Sequence, residues 1–292
     1  MKVIEFTCGL GNQMFQYAFL VAMREHTGDK CLMDISWYDR RQAHNGFEID
    51  KVFCISSEIA DVATVGRLTR YARTNLLHRI YKHLLPLKKT EFRERGFYKF
   101  YPDIFARGLE DTHFRGFWQS YRYFHDFRDI ILSEFCFRHT LDERNLQVYQ
   151  RVLGSKTCIS VHVRRGDYLK HKLYHGLCGV NYYIQAINKA VELIGSDAAF
   201  LIFSNDTEWC KENIVPLIGK HEYCIVDWNT GLDSYKDMQL MSACRLNIIA
   251  NSSFSWWAAY LNRRTDQIVI SPRKWINMHM RYEIQMPHWI LI

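Results

Sequence analysis

The chain has 292 residues, 48% hydrophobic and 24% charged, a globular composition long enough for two domains of ordinary size. Its net charge of +7 is local: residues 67–97 hold nine Lys and Arg against Glu91 and Glu94, and no aromatic–basic motif accompanies them, so no nucleic-acid partner is expected. No apolar run approaches the ~18 residues of a spanning helix, the N-terminus lacks a signal-peptide core, and nine scattered cysteines without CxxC spacing predict reduced thiols in a cytoplasm.

In chain order, a strand is expected over Val3–Thr7, running into the turn Gly9-Leu10-Gly11-Asn12 and a long amphipathic helix. Two glycines let backbone approach a ligand closely, although this turn is neither a GxGxxG fingerprint nor a P-loop. Lys30–Asp34 reads as the next strand, and residues 53–97 as mostly helical. Within that stretch Leu68, Tyr71, Leu76, Ile80 and Leu84 recur at roughly helical spacing beside the basic residues. A basic amphipathic helix suits an anionic membrane surface, and equally a solvated face packed on a domain. Asp111–Gln119 reads as a strand ending at Trp118.

The second half alternates regularly. Strands are expected at Thr157–Val163, Ala199–Ser204, Tyr223–Val226, Leu246–Ala250 and Gln267–Ile270. Helices are expected at Asn181–Ile194, Thr207–Leu217, Ser234–Ala243 and from the Ser252 region through Tyr260. Such alternation predicts an α/β fold with βαβ crossovers and a parallel sheet. The resumption of this rhythm sets a domain boundary near 150, giving domains 1–150 and 151–292, with the last residues free to return to the first domain.

Ligands bind at the carboxyl ends of parallel strands, so the strand ends carry the chemistry. The stretch "CISVHVRRGDY" leaves a buried strand at His162-Val163-Arg164 and turns through Arg165, Gly166 and Asp167. Alternation sends His162 and Arg164 to one face and Arg165 to the other. One arginine can therefore meet a ligand while its neighbour holds the turn, and a bidentate, permanently charged guanidinium suits a diphosphate. Asn205 and Asp206, Asp227, and the run Ser252, Ser253, Phe254, Ser255 end three other strands. A carboxylate can accept from the edge of guanine, and hydroxyls at a helix N-terminus with its free N–H groups bind phosphate. Asp206 and Ser253 are also ordinary N-cap types. Together these ends describe a nucleotide-diphosphate pocket better than caps alone. There is no Asp-x-Asp triplet, so no metal is expected; His171, His175 and Cys178 lack a fourth ligand at zinc spacing.

The motifs "GLGNQMFQYA" (9–18), "GFWQSYRYF" (116–124), "HVRRGDY" (162–168), "FSND" with Trp209 (203–209) and "NSSFSWWAAYLN" (251–262) resemble the α-1,2-fucosyltransferases of glycosyltransferase family 11, in order, across nearly the whole chain. The resemblance implies a GT-B-like fold of two facing Rossmann-like domains with a central cleft. It implies GDP-L-fucose as co-substrate, no cofactor or metal, and inverting transfer to the 2-hydroxyl of a galactose-terminated oligosaccharide. On it, Arg164 matches the arginine holding the donor β-phosphate, and His162 and Asp227 match positions that meet guanine. Ser252–Ser255 match the phosphate-side segment, and Gly11 and Asn12 a turn near the pyrophosphate and the acceptor. Gly9 departs from the arginine that many relatives carry in "GRLGNQ". Arg165, Asn205 and Asp206 complete the expected donor set.

No residue announces itself as the base an inverting transfer uses; Asp34, Asp167 and His175 are the candidates. Gln13, Trp37, Tyr38, Trp118 and Tyr121 are the candidates for acceptor contact, with Trp118 equally readable as core. The expected location is cytoplasmic, with the basic segment at the inner face of the membrane.

Overall fold

The first strand, β1 (Lys2–Glu5), is buried throughout and leads into α1 (Leu10–Thr27). The turn between them puts Cys8 at φ 67°, a left-handed conformation unusual outside glycine. Helix α1 is stopped by Gly28, also left-handed, whose N–H donates to the Arg24 carbonyl at 2.8 Å. Then follow β2 (Cys31–Asp34), α2 (Ile49–Val52), β3 (Glu58–Ile59), α3 (Val62–Leu68), β4 (Glu91–Arg93), β5 (Thr112–Arg115) and α4 (Arg128–Glu134). This computed structural model describes residues 1–41, 44–70, 87–106, 110–155 and 157–292, except the side chains of Arg40 and Asp167.

These strands form one parallel sheet in the order β3-β2-β1-β5-β4. Its core is aromatic: Phe19 of α1 stacks on Trp118 at 4.0 Å between ring centres, with Phe114 and Tyr123 edge-on to Phe19. The other face carries Val3 and Leu32 against Val65 and Leu68 of α3. The expectation of a mostly helical 53–97 is corrected here, because β3 and β4 lie within it. Both are short edge strands with polar or exposed residues, so they lack the apolar run that marks a buried strand. Residues 71–86, the centre of the basic segment, lie outside the described residues.

The second sheet is built from α5 (Glu143–Gly154), β6 (Cys158–Val163), α6 (Val180–Ile194), β7 (Ala199–Ser204), α7 (Thr207–Asn213), α8 (Val215–Ile218), β8 (Glu222–Val226), α9 (Tyr235–Met241), β9 (Leu246–Ile248), α10 (Ser253–Leu261), β10 (Ile268–Ser271) and β11 (Ile290–Leu291). All its pairings are parallel, in the order β11-β10-β9-β6-β7-β8. Counted from β6 this is third-second-first-fourth-fifth-sixth, the doubly wound dinucleotide-fold order. Ile159, Val161 and Val163 on one face of β6 pack with Tyr183, Ala186 and Ile187 of α6. The chain thus has the two Rossmann-like α/β domains expected of a GT-B fold.

Contacts divide the chain into Met1–Arg138 with Arg281–Ile284, and His139–Met280 with Gln285–Ile292. The division precedes the expected boundary near 150 because α5 belongs to the second unit: its buried Asn145 bonds Asn229 in the loop after β8. The segment that joins the first unit is Arg281–Ile284, where Glu283 bonds Arg122 at 2.7 Å and the Phe100 N–H at 2.7 Å; the last eight residues stay with the second. No described helix is long and apolar enough to cross a membrane.

Candidate functional site

A doubly wound sheet has its crevice where strand order reverses, here between β6 and β9. The residues leaving those two strands are Arg164 and the Asn251–Ser255 segment. Arg164 extends past the end of β6 with its guanidinium 5.5 Å from the centre of the Tyr168 ring. The Tyr168 hydroxyl donates to the Asn251 carbonyl at 3.3 Å, tying the turn after β6 to the segment that opens α10. Ser252 caps that helix, its hydroxyl accepting from the Phe254 N–H at 3.3 Å. Ser253 and Phe254 are half-buried, whereas Ser255 is buried and its Oγ donates back to the Ala250 and Ser252 carbonyls at 3.5 and 3.4 Å. Ser255 therefore shapes the turn from inside.

His162 shares the face of Arg164 and lies 5.8 Å, ring centre to ring centre, from Phe254. It is 6% exposed, and its Nδ1 has no hydrogen-bond partner among the described residues. Burial, with the Arg164 charge adding to it, pushes the imidazole down to about 3, so the ring is neutral. A buried unpartnered ring nitrogen beside a guanidinium and a helix N-terminus is a polar group set toward a ligand.

The other arginine holds the turn. Arg165 Nε pairs with Asp206 Oδ2 at 3.1 Å, its guanidinium lies 4.1 Å from the Trp209 ring centre, and its N–H donates to Asn205 Oδ1 at 3.0 Å. Asp206 also caps α7, accepting from the Trp209 N–H at 3.2 Å. Gly166 is required here, since a β-carbon would collide with the Asn205 amide. Arg165, Asn205 and Asp206, expected in the donor set, are thus engaged with one another. Asp227 is exposed directly after β8. The Asp167 side chain lies outside the description, and His175 is exposed, its carbonyl accepting from Asn277 Nδ2 at 2.9 Å. Among the described residues no group of three or more His, Cys, Asp or Glu could hold a metal ion.

In the first unit the glycine turn is already answered by an internal anion. The Leu10 N–H, at the start of α1, donates to Glu48 Oε1 at 3.1 Å. A β-carbon at Gly9 would lie 3.1 Å from His44 Cγ, so a larger residue there would displace the His44 ring. Gly11 is buried, while Asn12 is half-buried and accepts from Gln119 Nε2 at 2.6 Å.

Three expectations for this unit are corrected. Gln13 is fully buried and wholly occupied: its amide donates to the Cys8 and Gly46 carbonyls at 2.9 Å, and its oxygen accepts from the Glu48 and Ile49 N–H groups at 3.0 and 3.1 Å. Trp118 is fully buried in the aromatic core and offers no face to a sugar. Asp34 is buried and bonded to His113 Nε2 at 2.8 Å and to the Ser36 N–H at 3.0 Å. Burial alone would raise its carboxyl, but His113 and Ser36 outweigh it and hold the group at about 2, too acidic for a good base. Trp37 and Tyr121 are half-buried; Tyr38 is half-buried with its hydroxyl donating to the Cys8 carbonyl at 2.7 Å.

Residues that the sequence left unmarked also build these loops. Glu94 Oε2 accepts from the Phe117 and Trp118 N–H groups at 2.7 and 3.2 Å, fixing the loop after β5 and the left-handed Trp118 within it. Gly116 accommodates that carboxylate: a β-carbon there would lie 2.7 Å from Oε2. A glutamate inside a basic run gives no such signal in one dimension.

Comparison with known proteins agrees with this architecture. The fold is shared with the crystal structure of the fucosyltransferase NodZ from Bradyrhizobium, at a TM-score of 0.54 and 16% identity over 88% of this chain and 92% of that one. The chain is 30% identical to the Escherichia coli O-antigen biosynthesis glycosyltransferase WbnK, over 97% of both. It is 32% identical to an Escherichia coli alpha-1,2-colitosyltransferase, over 91% of this chain and 89% of that protein. It is 30% identical to the galactoside alpha-(1,2)-fucosyltransferase 1 of Alouatta belzebul, over 86% of this chain and 62% of the relative. The family model for glycosyl transferase family 11 matches residues 1–292, and the chain belongs to that family.

Proposed function

We propose that the protein transfers L-fucose from GDP-β-L-fucose, with inversion and without a metal ion, to the 2-hydroxyl of a terminal galactose in a glycan. The observation that carries this reading is the position of Arg164: it leaves the first strand of a doubly wound sheet at the switch point, where the next element is the capped N-terminus of α10. A diphosphate there meets a guanidinium and backbone N–H groups, and Asp227 at the end of β8 would take the edge of guanine. Two relatives, one named for colitose and one for fucose, both carry an α-1,2 linkage in their names, which favours the 2-hydroxyl.

As the glycosidic bond breaks, charge grows on the β-phosphate, and Arg164 with the first turn of α10 stabilises it at that point. The galactose hydroxyl attacks the opposite face of a sugar with oxocarbenium character. Asp34, sequestered by His113, is not the base; a proton that leaves late requires only a weak one. Half-exposed Trp37 and Tyr121 offer ring surface for the apolar side of the acceptor. The basic segment 67–97 would hold the enzyme against an anionic bilayer, close to lipid-linked glycans.

The test is release of GDP from GDP-fucose in the presence of a chelator, with and without lactose. Lactose-dependent release with one deoxyhexose added to the acceptor, at the 2-position by linkage analysis, is expected. Because of the colitosyl relative, GDP-colitose is run beside it; a strong preference for that donor would reassign the sugar and leave the linkage reading intact. GDP binding without release over a broad galactoside panel would reject the transferase reading for these acceptors.

A further inference from the structure

Asp227, Trp228 and Asn229 follow directly from β8, an edge strand, and lead through the short turn Gly231–Asp233 into α9. The loop is held mainly from the side, by α5, with one further bond from α9. Asn145 in the first turn of α5 and Asn229 meet amide to amide. Asn145 Nδ2 donates to Asn229 Oδ1 at 2.8 Å, and Asn229 Nδ2 returns the bond to Asn145 Oδ1 at 2.9 Å. The same Asn145 oxygen accepts from Trp228 Nε1 at 3.0 Å. The remaining amide hydrogens are taken by carboxylates: Asn145 Nδ2 also donates to Asp142 Oδ2 at 2.7 Å, and Asn229 Nδ2 to Asp237 Oδ1 at 2.8 Å.

Asn145 is 1% exposed, and its oxygen and its amide nitrogen each make two bonds. Buried amides are costly unless fully bonded, and a fully bonded network admits one geometry. Arg144, the neighbouring residue of α5, adds its guanidinium 3.6 Å from the centre of the Trp228 ring. Trp228 and Asn229 are therefore both anchored to α5, and Asn229 also to Asp237 of the following helix α9, while Asp227 is left exposed at the strand end. A carboxylate that must meet two donors on one edge of a base gains nothing from a wandering loop, since ordering the loop at each binding event would weaken affinity.

We propose that the Asn145–Asn229 carboxamide pair is a positioning device for nucleobase recognition: it fixes the loop bearing Asp227 and Trp228, and so sets nucleotide affinity without touching the reacting atoms. This rests on the reading of the second unit as the nucleotide-binding one.

Asn145→Ala, Asn229→Ala and their double variant, with Trp228→Phe as a change that removes the indole N–H while keeping an aromatic ring under Arg144, are compared in the full chain by GDP titration and steady-state kinetics. The alanine variants should each weaken GDP binding and raise the donor KM about tenfold, with the double variant no worse than either. The kcat at saturating donor and the acceptor KM should stay within about twofold, a split that general loosening of the unit would not produce. A folded alanine variant with unchanged GDP affinity, or one that loses kcat at unchanged donor KM, overturns the proposal. Should Asn145→Ala not fold, Asn229→Ala and Trp228→Phe carry the same reading, with weaker GDP binding expected and unchanged binding decisive against it. ADP and UDP are titrated alongside GDP. If the wild type prefers one of these, the functional reading fails, while the same tenfold criterion applied to that nucleotide still decides the role of the pair. Binding of none overturns both.

Discussion

Arg164 and His162 leave the same strand face two residues apart and are treated oppositely by their surroundings. Arg164 stands half-buried at the strand end against the Tyr168 ring. Replacing it with Ala should reduce kcat on the order of 10²- to 10³-fold, the cost of losing one preorganised charge at a developing oxyanion. Folding stability should change by less than about 1 kcal/mol, as at other sites outside the core. Turnover of GDP-fucose and a urea melt on the same preparation check this, and near wild-type kcat would remove Arg164 from the transition state. His162 is the converse case. Its folded value of about 3 lies below the ordinary 6.5, so the unfolded chain binds one more proton than the folded chain between those limits. The stability it contributes is complete above about pH 6.5 and is lost as pH falls toward 3. Between pH 7 and pH 5 the wild type should therefore lose about 2 kcal/mol more than His162→Gln. Glu94 and Asp237, both pushed up to about 7 by burial, work in the opposite sense, so the difference between wild type and variant is what isolates the histidine. An equal loss of stability in wild type and variant between the two pH values would show that the ring is not buried neutral.

Legibility differs from element to element. Strands β6, β7, β8 and β9 were readable because each is a short apolar run bounded by helical periodicity, and β7 coincides with its expected span, Ala199–Ser204. The other three edge strands were not: β3 is two exposed residues, β11 is two, and β4 is a Glu-Phe-Arg triplet whose partner β5 supplies the ladder. An edge strand needs a neighbour more than it needs a pattern. The turn after β6 was legible in part, since alternation alone separates Arg164 from Arg165. What alternation could not give is the partner: Asp206, 41 residues away, takes Arg165. The same applies to Asp34 and His113, 79 residues apart, and to Asn145 and Asn229, 84 apart. A carboxylate at a strand end looks like a base until the side chain that pairs with it is known. Trp118 failed for a related reason: a tryptophan after a strand reads equally well as core or platform, and only its stack on Phe19 decides for core.

At the scale of the whole molecule each unit has its own parallel sheet and its own apolar core, and the features proposed for the donor, the Gly11-Asn12 turn apart, fall in one of them. Arg164, His162, Asp227 and the α10 N-terminus all belong to the unit of His139–Met280, whereas the α1 turn of the other unit already receives the Glu48 carboxylate. A ligand that binds only folded protein stabilises whatever cooperative unit contains its site, by about 2.7 kcal/mol at a hundred times its Kd. Hydrogen exchange with and without GDP should therefore slow the core amides of β6, β7 and β9 by up to about a hundredfold, because those amides open only when their unit unfolds. The amides of β1 and β2 should slow less, since their sheet can open without releasing the nucleotide. Slowing of equal size in both sheets would mean that the units unfold together. Slowing confined to β1, β2 and the start of α1 would place the nucleotide in the first unit and reverse the assignment of donor and acceptor.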